Sequence, residues 1–526
     1  MLFNTFEFII VFLPIVVAGF FLIASVGNSR LALYWLVCSS LFFYSWWNPT
    51  LIFLLLASLI FNFRVGLALS RKPSRGLLFF GVGTNLLALG WFKYSGFFVE
   101  VVNMLAGLAI PVPHIILPLA ISFYTFQQIA YLVESHDGAT KEDDFLSYCA
   151  FIAFFPQLIA GPIVHHREII EQFKKPETYV ANSLSIGLGI SMFAIGLFKK
   201  VVLADNFSPI AASAFGAAAE GWAPPIEVAW AGMFAFSLQI YFDFSGYSDM
   251  AIGLALMFGI RLPFNFASPY KSASIIEFWS RWHITLTRFL TNYVYNPILT
   301  RLSRRRMAAG KPMLRRSAPS WNTFFVLLFA PTIITMALSG LWHGAGFQFL
   351  IWGLLHGLML AINHAWRLFG NGLPLRERLR GNRLLRMFSV LLTFTAVSLA
   401  LVFFKSADVD QAMNMFRGLL GLTARAEYEP GLFGGYAPPF LKRSDVPIFL
   451  VGFFIIWCLP NSQQWLGLIE GDREKAGRWA WVLAFFDGLR GWRPTMLHGF
   501  FIGAIMAAAL IRAFGEAATE FLYFTF

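Results

Sequence analysis

The sequence has 526 residues, of which 58% are hydrophobic and only 13% are charged. Soluble domains average roughly 25% charged residues, so the composition excludes an ordinary soluble protein and indicates an integral membrane protein. The 40 Lys and Arg outnumber the 28 Asp and Glu. Because the basic residues are concentrated in loops between apolar segments, they argue for a membrane topology and against a nucleic-acid partner.

Apolar stretches long enough to cross a bilayer, roughly 20 residues each, recur from end to end of the chain. They lie at 6–27, 31–47, 49–70, 76–93, 115–133, 145–165, 182–204, 226–260, 274–299, 321–340, 346–367, 384–404, 446–460 and 497–513. Pro and Gly interrupt several of them, which favours some re-entrant or tilted segments. The sequence therefore predicts an all-α, polytopic membrane protein with about eleven transmembrane helices. Residues 1–526 are expected to form a single integral-membrane domain.

The stretch 405–445 is less apolar than its neighbours. It begins with the amphipathic segment DQAMNMFRGLLGL and continues through the Gly- and Pro-rich segment YEPGLFGGYAPPF. This pattern predicts an interfacial helix followed by a loop, within the membrane domain.

Two basic runs flank a pair of apolar segments in the second half of the chain. Residues 301–316 carry seven Lys and Arg and no acid, and residues 367–386 carry six Arg and one Glu. Such runs mark the cytoplasmic side, and they can also contact anionic lipid heads or an anionic cytosolic donor. The segments between them are then a hairpin whose turn, SGLWHGAG, faces away from the cytoplasm or ends within the membrane.

Two histidines lie in apolar surroundings, each directly after a tryptophan: His283 in FWSRWHITLTRFL and His343 in ALSGLWHGAGFQFL. An ionisable ring at membrane depth costs free energy unless it lines a polar cavity or has a partner, which favours a functional role. A helix–helix hydrogen bond is the alternative. Small residues flank His343, and irregular backbone at membrane depth lines a cavity or is buried in protein. His343 is therefore expected at the floor of a cavity open to the external side.

The segment around His283 is predicted to be helical. Thr287 lies one turn further on and shares the face of His283. Arg281 and Arg288 lie on another face. They are candidates for binding the phosphates of an anionic donor, with snorkelling to the interface as the alternative.

Other polar residues also fall in apolar segments. They are Gln127, Gln128 and Tyr131 in FQQIAYLV, Asp243 and Asp249 in YFDFSGYSD, and Asn292 after His283. A carboxylate within a membrane needs a partner, so ion pairing or helix capping is favoured over catalysis for the two aspartates. His356 and His364 are two turns apart, whereas metal-binding histidines on a helix are usually one turn apart, so no metal site is expected.

Six sequence strings together resemble the membrane-bound O-acyltransferase family, and within it the bacterial branch of alginate O-acetylation proteins, with D-alanyl transfer proteins more distant. The strings are LPLAISFYTFQQIAYLVE, FFPQLIAGPI, YFDFSGYSDMAIG, FWSRWHITLTRFLTNYVYNP, ALSGLWHGAG and PNSQ. The resemblance implies a ring of helices with re-entrant segments, a tunnel for a cytosolic acyl donor, and an external funnel that ends at an essential histidine. That histidine corresponds to His343, and the second conserved histidine of the family corresponds to His283.

Acyl transfer from a thioester to an alcohol needs a base for the hydroxyl proton and hydrogen-bond donors for the developing oxyanion. His343 is the predicted general base or, alternatively, a transient covalent acyl carrier. His283 is predicted to orient the acyl group or to shape the tunnel. The remaining candidates for lining the substrate path are Trp282, Trp342, Thr287, Asn292, Gln127, Gln128, Tyr131 and Asp243.

The expected function is acetyl transfer from a cytosolic donor, acetyl-CoA, toward an exported polysaccharide at the bacterial inner membrane. The resemblance implies a periplasmic acetyl-transfer partner and a polysaccharide biosynthesis complex, with membrane lipid around the chain and acetyl-CoA as a co-substrate rather than a bound cofactor. Two alternatives remain. One is D-alanyl transfer from a carrier protein to teichoic acid, and the other is a non-catalytic transporter of polysaccharide or acyl groups.

Overall fold

The computed structural model describes residues 1–113, 115–140, 144–315, 317–370, 382–422, 445–468, 495–515 and 519–522. Within these ranges the regular structure is helical throughout and contains no strand. The predicted all-α class is confirmed. The chain divides into two compact units, of which unit 1 takes the described residues of Met1–Val202, Asp243–Phe264 and Pro460–Thr525, and unit 2 takes those of Leu203–Phe242 and Asn265–Leu459.

Unit 1 begins with helices that follow one another through short connections. These are α1 (Glu7–Ser25), α2 (Ser29–Ser45), α3 (Leu51–Arg71), α4 (Arg75–Ala106), α5 (Ile121–His136), α6 (Phe145–Ala153), α7 (Phe155–Leu158) and α8 (His166–Phe173). A 3-10 turn follows at Pro176–Tyr179. The chain passes between the units within two long helices, α9 (Ser183–Ala219) and α10 (Ile226–Met257).

Unit 2 contains shorter helices followed by a series of long ones. They are α11 (Ile275–Trp279), α12 (Ile284–Leu290), α13 (Asn296–Ala308), α14 (Trp321–His343), α15 (Phe347–Phe369), α16 (Arg383–Lys405), α17 (Val409–Leu419) and α18 (Val446–Cys458). A 3-10 turn at Pro269–Lys271 precedes α11, and a π-helical turn at Thr291–Tyr295 joins α12 to α13. The chain returns to unit 1 with α19 (Ser462–Trp465) and α20 (Met496–Gly515).

Short polar side chains begin several of these helices. Asn28 accepts a hydrogen bond from the backbone N–H of Leu31 at 2.9 Å, and Asp408 accepts one from Gln411 at 2.8 Å. Such caps satisfy N–H groups that have no partner inside the helix. Capping matters more in lipid, because no water is present there to accept hydrogen bonds from these N–H groups.

Eight of the described helices are long and apolar enough to cross a membrane. They are α1, α3, α4, α9, α14, α15, α16 and α20. Large apolar side chains on their surfaces suit a hydrocarbon environment, as on α4, where Phe79 and Leu87 are each 76% exposed. The protein is therefore a polytopic membrane protein, while the total of eleven crossings stays a prediction.

Two predicted spans are wrong as continuous helices. The span 145–165 breaks at Phe154, whose ψ of 108° is not helical. Pro156 follows, and a proline inside a continuous helix removes a hydrogen bond and clashes with the preceding turn. The span 274–299 breaks between α11 and α12, where side-chain contacts described below hold a turn.

The predicted interfacial segment 405–445 contains α17 at its start. Residues 423–444 lie outside the described residues. The position of this segment relative to a bilayer stays a prediction.

Candidate active site

The helical hairpin predicted around the SGLWHGAG turn is present as α14 and α15. Two glycines allow the helices to approach closely, since a Cβ atom on Gly340 would lie 2.2 Å from the carbonyl oxygen of Phe349. A Cβ atom on Gly353 would lie 2.2 Å from the carbonyl oxygen of Met336. No side chain fits at such distances. The glycines therefore set the spacing of the two helices beside His343.

His343 is the last residue of α14 and is 4% exposed. Aromatic rings surround its imidazole, with ring centroids 4.8 Å away for Trp342, 5.0 Å for Trp352 on α15 and 5.1 Å for Phe404 on α16. One turn earlier on α14, Ser339 is fully buried, and its hydroxyl has no hydrogen-bond partner among the described residues. His343 is therefore buried beside the glycine-rich turn, and its place at the floor of an external cavity stays a prediction.

His283 lies in the turn between α11 and α12 rather than within a helix. Its φ of 43° and ψ of 53° are left-handed, a conformation that a residue with a side chain adopts only when its surroundings hold it there. Asn265 provides that restraint. Its Oδ1 lies 3.0 Å from Nδ1 of His283 and accepts from the hydroxyl of Thr285 at 3.0 Å, and its backbone carbonyl accepts from the N–H of Ile284 at 3.0 Å.

The Asn265 contact also orients the His283 imidazole. The backbone N–H of Thr285 donates to the same Oδ1 at 3.3 Å, which identifies that atom as the acceptor. Nδ1 of His283 must therefore carry a hydrogen, and Nε2 is the ring nitrogen that can accept a proton. Both side chains are 0% exposed.

The two histidines belong to one cluster. Trp342 contacts the His283 ring with centroids 6.2 Å apart, and it also contacts His343. We refer to His283, Trp342, His343 and Trp352 as the histidine–tryptophan cluster. A buried imidazole in such a cluster can accept a proton, and the neighbouring indoles exclude water from it.

The other predicted residues of this segment fall into different surroundings. Thr287 keeps its place one turn after His283, because its backbone N–H donates to the carbonyl of His283 at 3.0 Å. The prediction that Arg281 and Arg288 share one helix is wrong, since Arg281 lies in the turn, where it pairs with Glu277 at 2.8 Å. Trp282 is buried against the rings of Phe266 and Phe278.

Asn292 is exposed and lines a surface pocket of about 550 Å³. The remaining lining residues are Asn296, Pro297, Thr300, Arg301, Arg304 and Arg305. This pocket belongs to unit 2 and combines three guanidinium groups with two side-chain amides.

Gln127, Gln128 and Tyr131 lie on α5 in unit 1, and all three are buried. Gln128 accepts a hydrogen bond from the hydroxyl of Tyr148, and the Tyr131 ring packs on Tyr148 with centroids 4.7 Å apart. These contacts are a packed polar network within unit 1. A role in lining a substrate path stays a prediction for these residues.

Asp243 and Asp249 are both buried and form ion pairs with adjacent lysines on α9. Asp243 lies 2.8 Å from Nζ of Lys200, and Asp249 lies 2.6 Å from Nζ of Lys199. The predicted ion pairing is confirmed. The hydroxyl of Ser462, in the PNSQ string, also donates to Asp249 at 2.6 Å.

Sequence reasoning missed Asn265, which holds His283, and Trp352, which contacts His343. Asn265 stands alone among apolar residues in RLPFNFAS, which is a signal for a buried partner. Nothing in the sequence pattern indicates that its partner is His283, 18 residues away.

Comparison with known proteins identifies the family. A model of the MBOAT, membrane-bound O-acyltransferase family, matches residues 141–310. Peptidoglycan O-acetyltransferase from Helicobacter pylori is 39% identical over 456 residues, which cover 80% of each chain. The chain belongs to the membrane-bound O-acyltransferase family.

Further relatives show the breadth of this acyltransferase family. The probable alginate O-acetylase AlgI from Pseudomonas putida is 32% identical over 538 residues, which cover 100% of both chains. The teichoic acid D-alanyltransferase from Bacillus subtilis is 28% identical over 335 residues, which cover 62% of this chain and 78% of that enzyme. The resemblance inferred from the motifs is confirmed, and the protein is an O-acyltransferase.

Proposed function

We propose that this acyltransferase takes acetyl from acetyl-CoA on the cytoplasmic side of the bacterial inner membrane and passes it toward an exported polysaccharide. A periplasmic partner and a polysaccharide biosynthesis complex are part of the proposal. The observation that carries it is the burial of His343 within the histidine–tryptophan cluster, in a chain with relatives named O-acetyltransferases of peptidoglycan and alginate.

The proposed step uses His343 as the base. Its ring nitrogen takes the proton of the acceptor hydroxyl while the hydroxyl oxygen bonds to the acetyl carbonyl carbon. The carbon–sulfur bond then breaks, and the departing thiolate recovers the proton from the imidazolium. His283 is proposed to shape the path of the acyl group, since Asn265 fixes its ring.

The direct test is transfer from radiolabelled acetyl-CoA by the purified full-length protein, with cell-wall glycan, alginate or a periplasmic partner as acceptor. Label on a glycan or partner hydroxyl is the expected result. Transfer of D-alanine from a carrier protein to teichoic acid, with none from acetyl-CoA, would contradict the acetyl proposal and support the D-alanyl alternative.

The donor side of the proposal is supported by the arginine pocket of Arg301, Arg304 and Arg305. These residues belong to the basic run that the sequence predicts to be cytoplasmic. Guanidinium groups bind phosphate oxygens through two parallel hydrogen bonds, and coenzyme A carries several phosphate groups. Arg281 is less available as a donor contact, because Glu277 already pairs with it.

Replacing the three arginines with glutamine is expected to raise the KM for acetyl-CoA about tenfold, since loss of about 1.4 kcal/mol of binding corresponds to a factor of ten. The kcat should change little, because the pocket does not contain His343. Steady-state kinetics over a range of acetyl-CoA concentrations measures both. The matched control is Arg383→Gln with Arg386→Gln, in the other basic run, and an equal KM in both proteins would contradict the donor site.

A further inference from the structure

Two buried nitrogen atoms on α15, the helix that follows His343, have no hydrogen-bond partner among the described residues. They are Nε1 of Trp352 and Nε2 of His356. The residues are one turn apart on α15, their ring centroids are 4.8 Å apart, and they are 3% and 1% exposed.

Trp279 determines which nitrogen of His356 carries the hydrogen. The indole N–H of Trp279 donates to Nδ1 of His356 at 3.3 Å. Because Nδ1 accepts, the neutral imidazole has its hydrogen on Nε2. The two unpartnered atoms are therefore both N–H donors, and neither can satisfy the other.

A buried donor without an acceptor costs about 1–3 kcal/mol, so two neighbouring ones need an explanation. The Trp352 ring contacts the His343 ring, with centroids 5.0 Å apart. An acceptor that binds to the N–H group of Trp352 would therefore lie close to the base. An oxygen atom with lone pairs matches this donor set, and a cation or another N–H group does not.

We propose that the N–H groups of Trp352 and His356 bind the carbonyl oxygen of the acyl group and form the oxyanion hole of the reaction. The inference rests on the proposed function. As the acceptor hydroxyl oxygen bonds to the carbonyl carbon, the carbonyl π electrons move to the oxygen held by the two donors, and His343 takes the hydroxyl proton. When the carbonyl re-forms, the carbon–sulfur bond breaks and His343 returns the proton to the thiolate. Trp279 is a positioning residue, which keeps the hydrogen of His356 on Nε2.

The test removes one N–H group and keeps the aromatic packing. Trp352→Phe is expected to lower kcat about 100-fold with little change in the KM for acetyl-CoA, because an oxyanion donor acts on the transition state. Trp279→Phe is expected to lower kcat by a smaller factor, since the hydrogen of His356 can then move to Nδ1. The matched control is Trp230→Phe, which removes an indole N–H that donates to the Leu419 carbonyl elsewhere in unit 2.

The outcomes separate this inference from the proposed function. A wild-type protein that transfers no acetyl group would overturn the proposed function itself. If the wild type is active but Trp352→Phe leaves kcat unchanged, or lowers it no more than Trp230→Phe does, the proposed oxyanion hole is wrong. The two N–H groups would then bind a buried water. If Trp352→Phe does not fold, a benzothienylalanine at position 352 keeps the shape of the indole without its N–H, and the same kcat and KM criteria apply.

Discussion

His343→Ala is expected to lower acyl transfer by about 10²–10⁴-fold, the range that a positioned general base contributes. The protein should still fold, because the imidazole ends α14 and the hairpin spacing depends on the glycines rather than on His343. Measurement of acetyl transfer at saturating acetyl-CoA reports the loss. A variant that reaches the membrane, folds and keeps full transfer would show that His343 is not the base.

The matched control for this prediction is His364→Ala, on the same hairpin but outside the histidine–tryptophan cluster. It should keep near-normal kcat. The covalent alternative has a separate readout, since an acyl-imidazole on His343 would leave label on the denatured protein after a rapid quench. A base leaves no such label.

The hairpin and its histidine were predictable because their signals are local. Glycines at Gly340 and Gly344 stand within a few residues of His343, and the apolar segments on both sides have membrane length. The all-α membrane class was predictable from the low charged fraction together with the repeated apolar segments of membrane length.

The geometry around His283 was not predictable, because it depends on a contact that is distant in sequence. The apolar stretch 274–299 predicted a continuous span around His283, but the Asn265 side chain holds a left-handed turn there. The contact of Trp279 with His356, 77 residues apart, is of the same kind. Such contacts form only when tertiary packing brings the elements together.

The environment of the two aspartates in YFDFSGYSD was predictable only in part. The cost of an unpaired carboxylate in a membrane predicts that a partner exists, but it does not identify the partner. In the structure the partners are two adjacent lysines at the π-helical turn within α9. Lys199 pairs with Asp249, and Lys200 pairs with Asp243. The free-energy cost of burying a charge therefore predicts the type of interaction but not the residue that makes it.

A second large effect, on the stability of the protein, is expected when the Lys200–Asp243 ion pair in unit 1 is broken. Both side chains are almost completely buried, and Asp243 also accepts a hydrogen bond from the backbone N–H of Leu522 at 3.1 Å. Asp243→Leu leaves the lysine ammonium buried without its partner carboxylate, so we expect a loss of about 3–5 kcal/mol in the free energy of unfolding. Unfolding by denaturing detergent, followed by circular dichroism, measures it.

The double variant Lys200→Met with Asp243→Leu distinguishes ion pairing from a substrate-lining role for Asp243. Removing both charges should recover most of the lost stability, because an apolar pair of similar volume does not bury a lone charge. Recovery is expected to be incomplete, since the Leu522 N–H and the Glu520 carbonyl lose their partners.

Arg30→Gln, which removes an exposed ion pair with Asp144, is the matched control and should change stability by less than about 1 kcal/mol. If Asp243 serves only to pair with Lys200, the double variant also regains acetyl transfer, whereas stability recovered without activity would assign Asp243 to the substrate path.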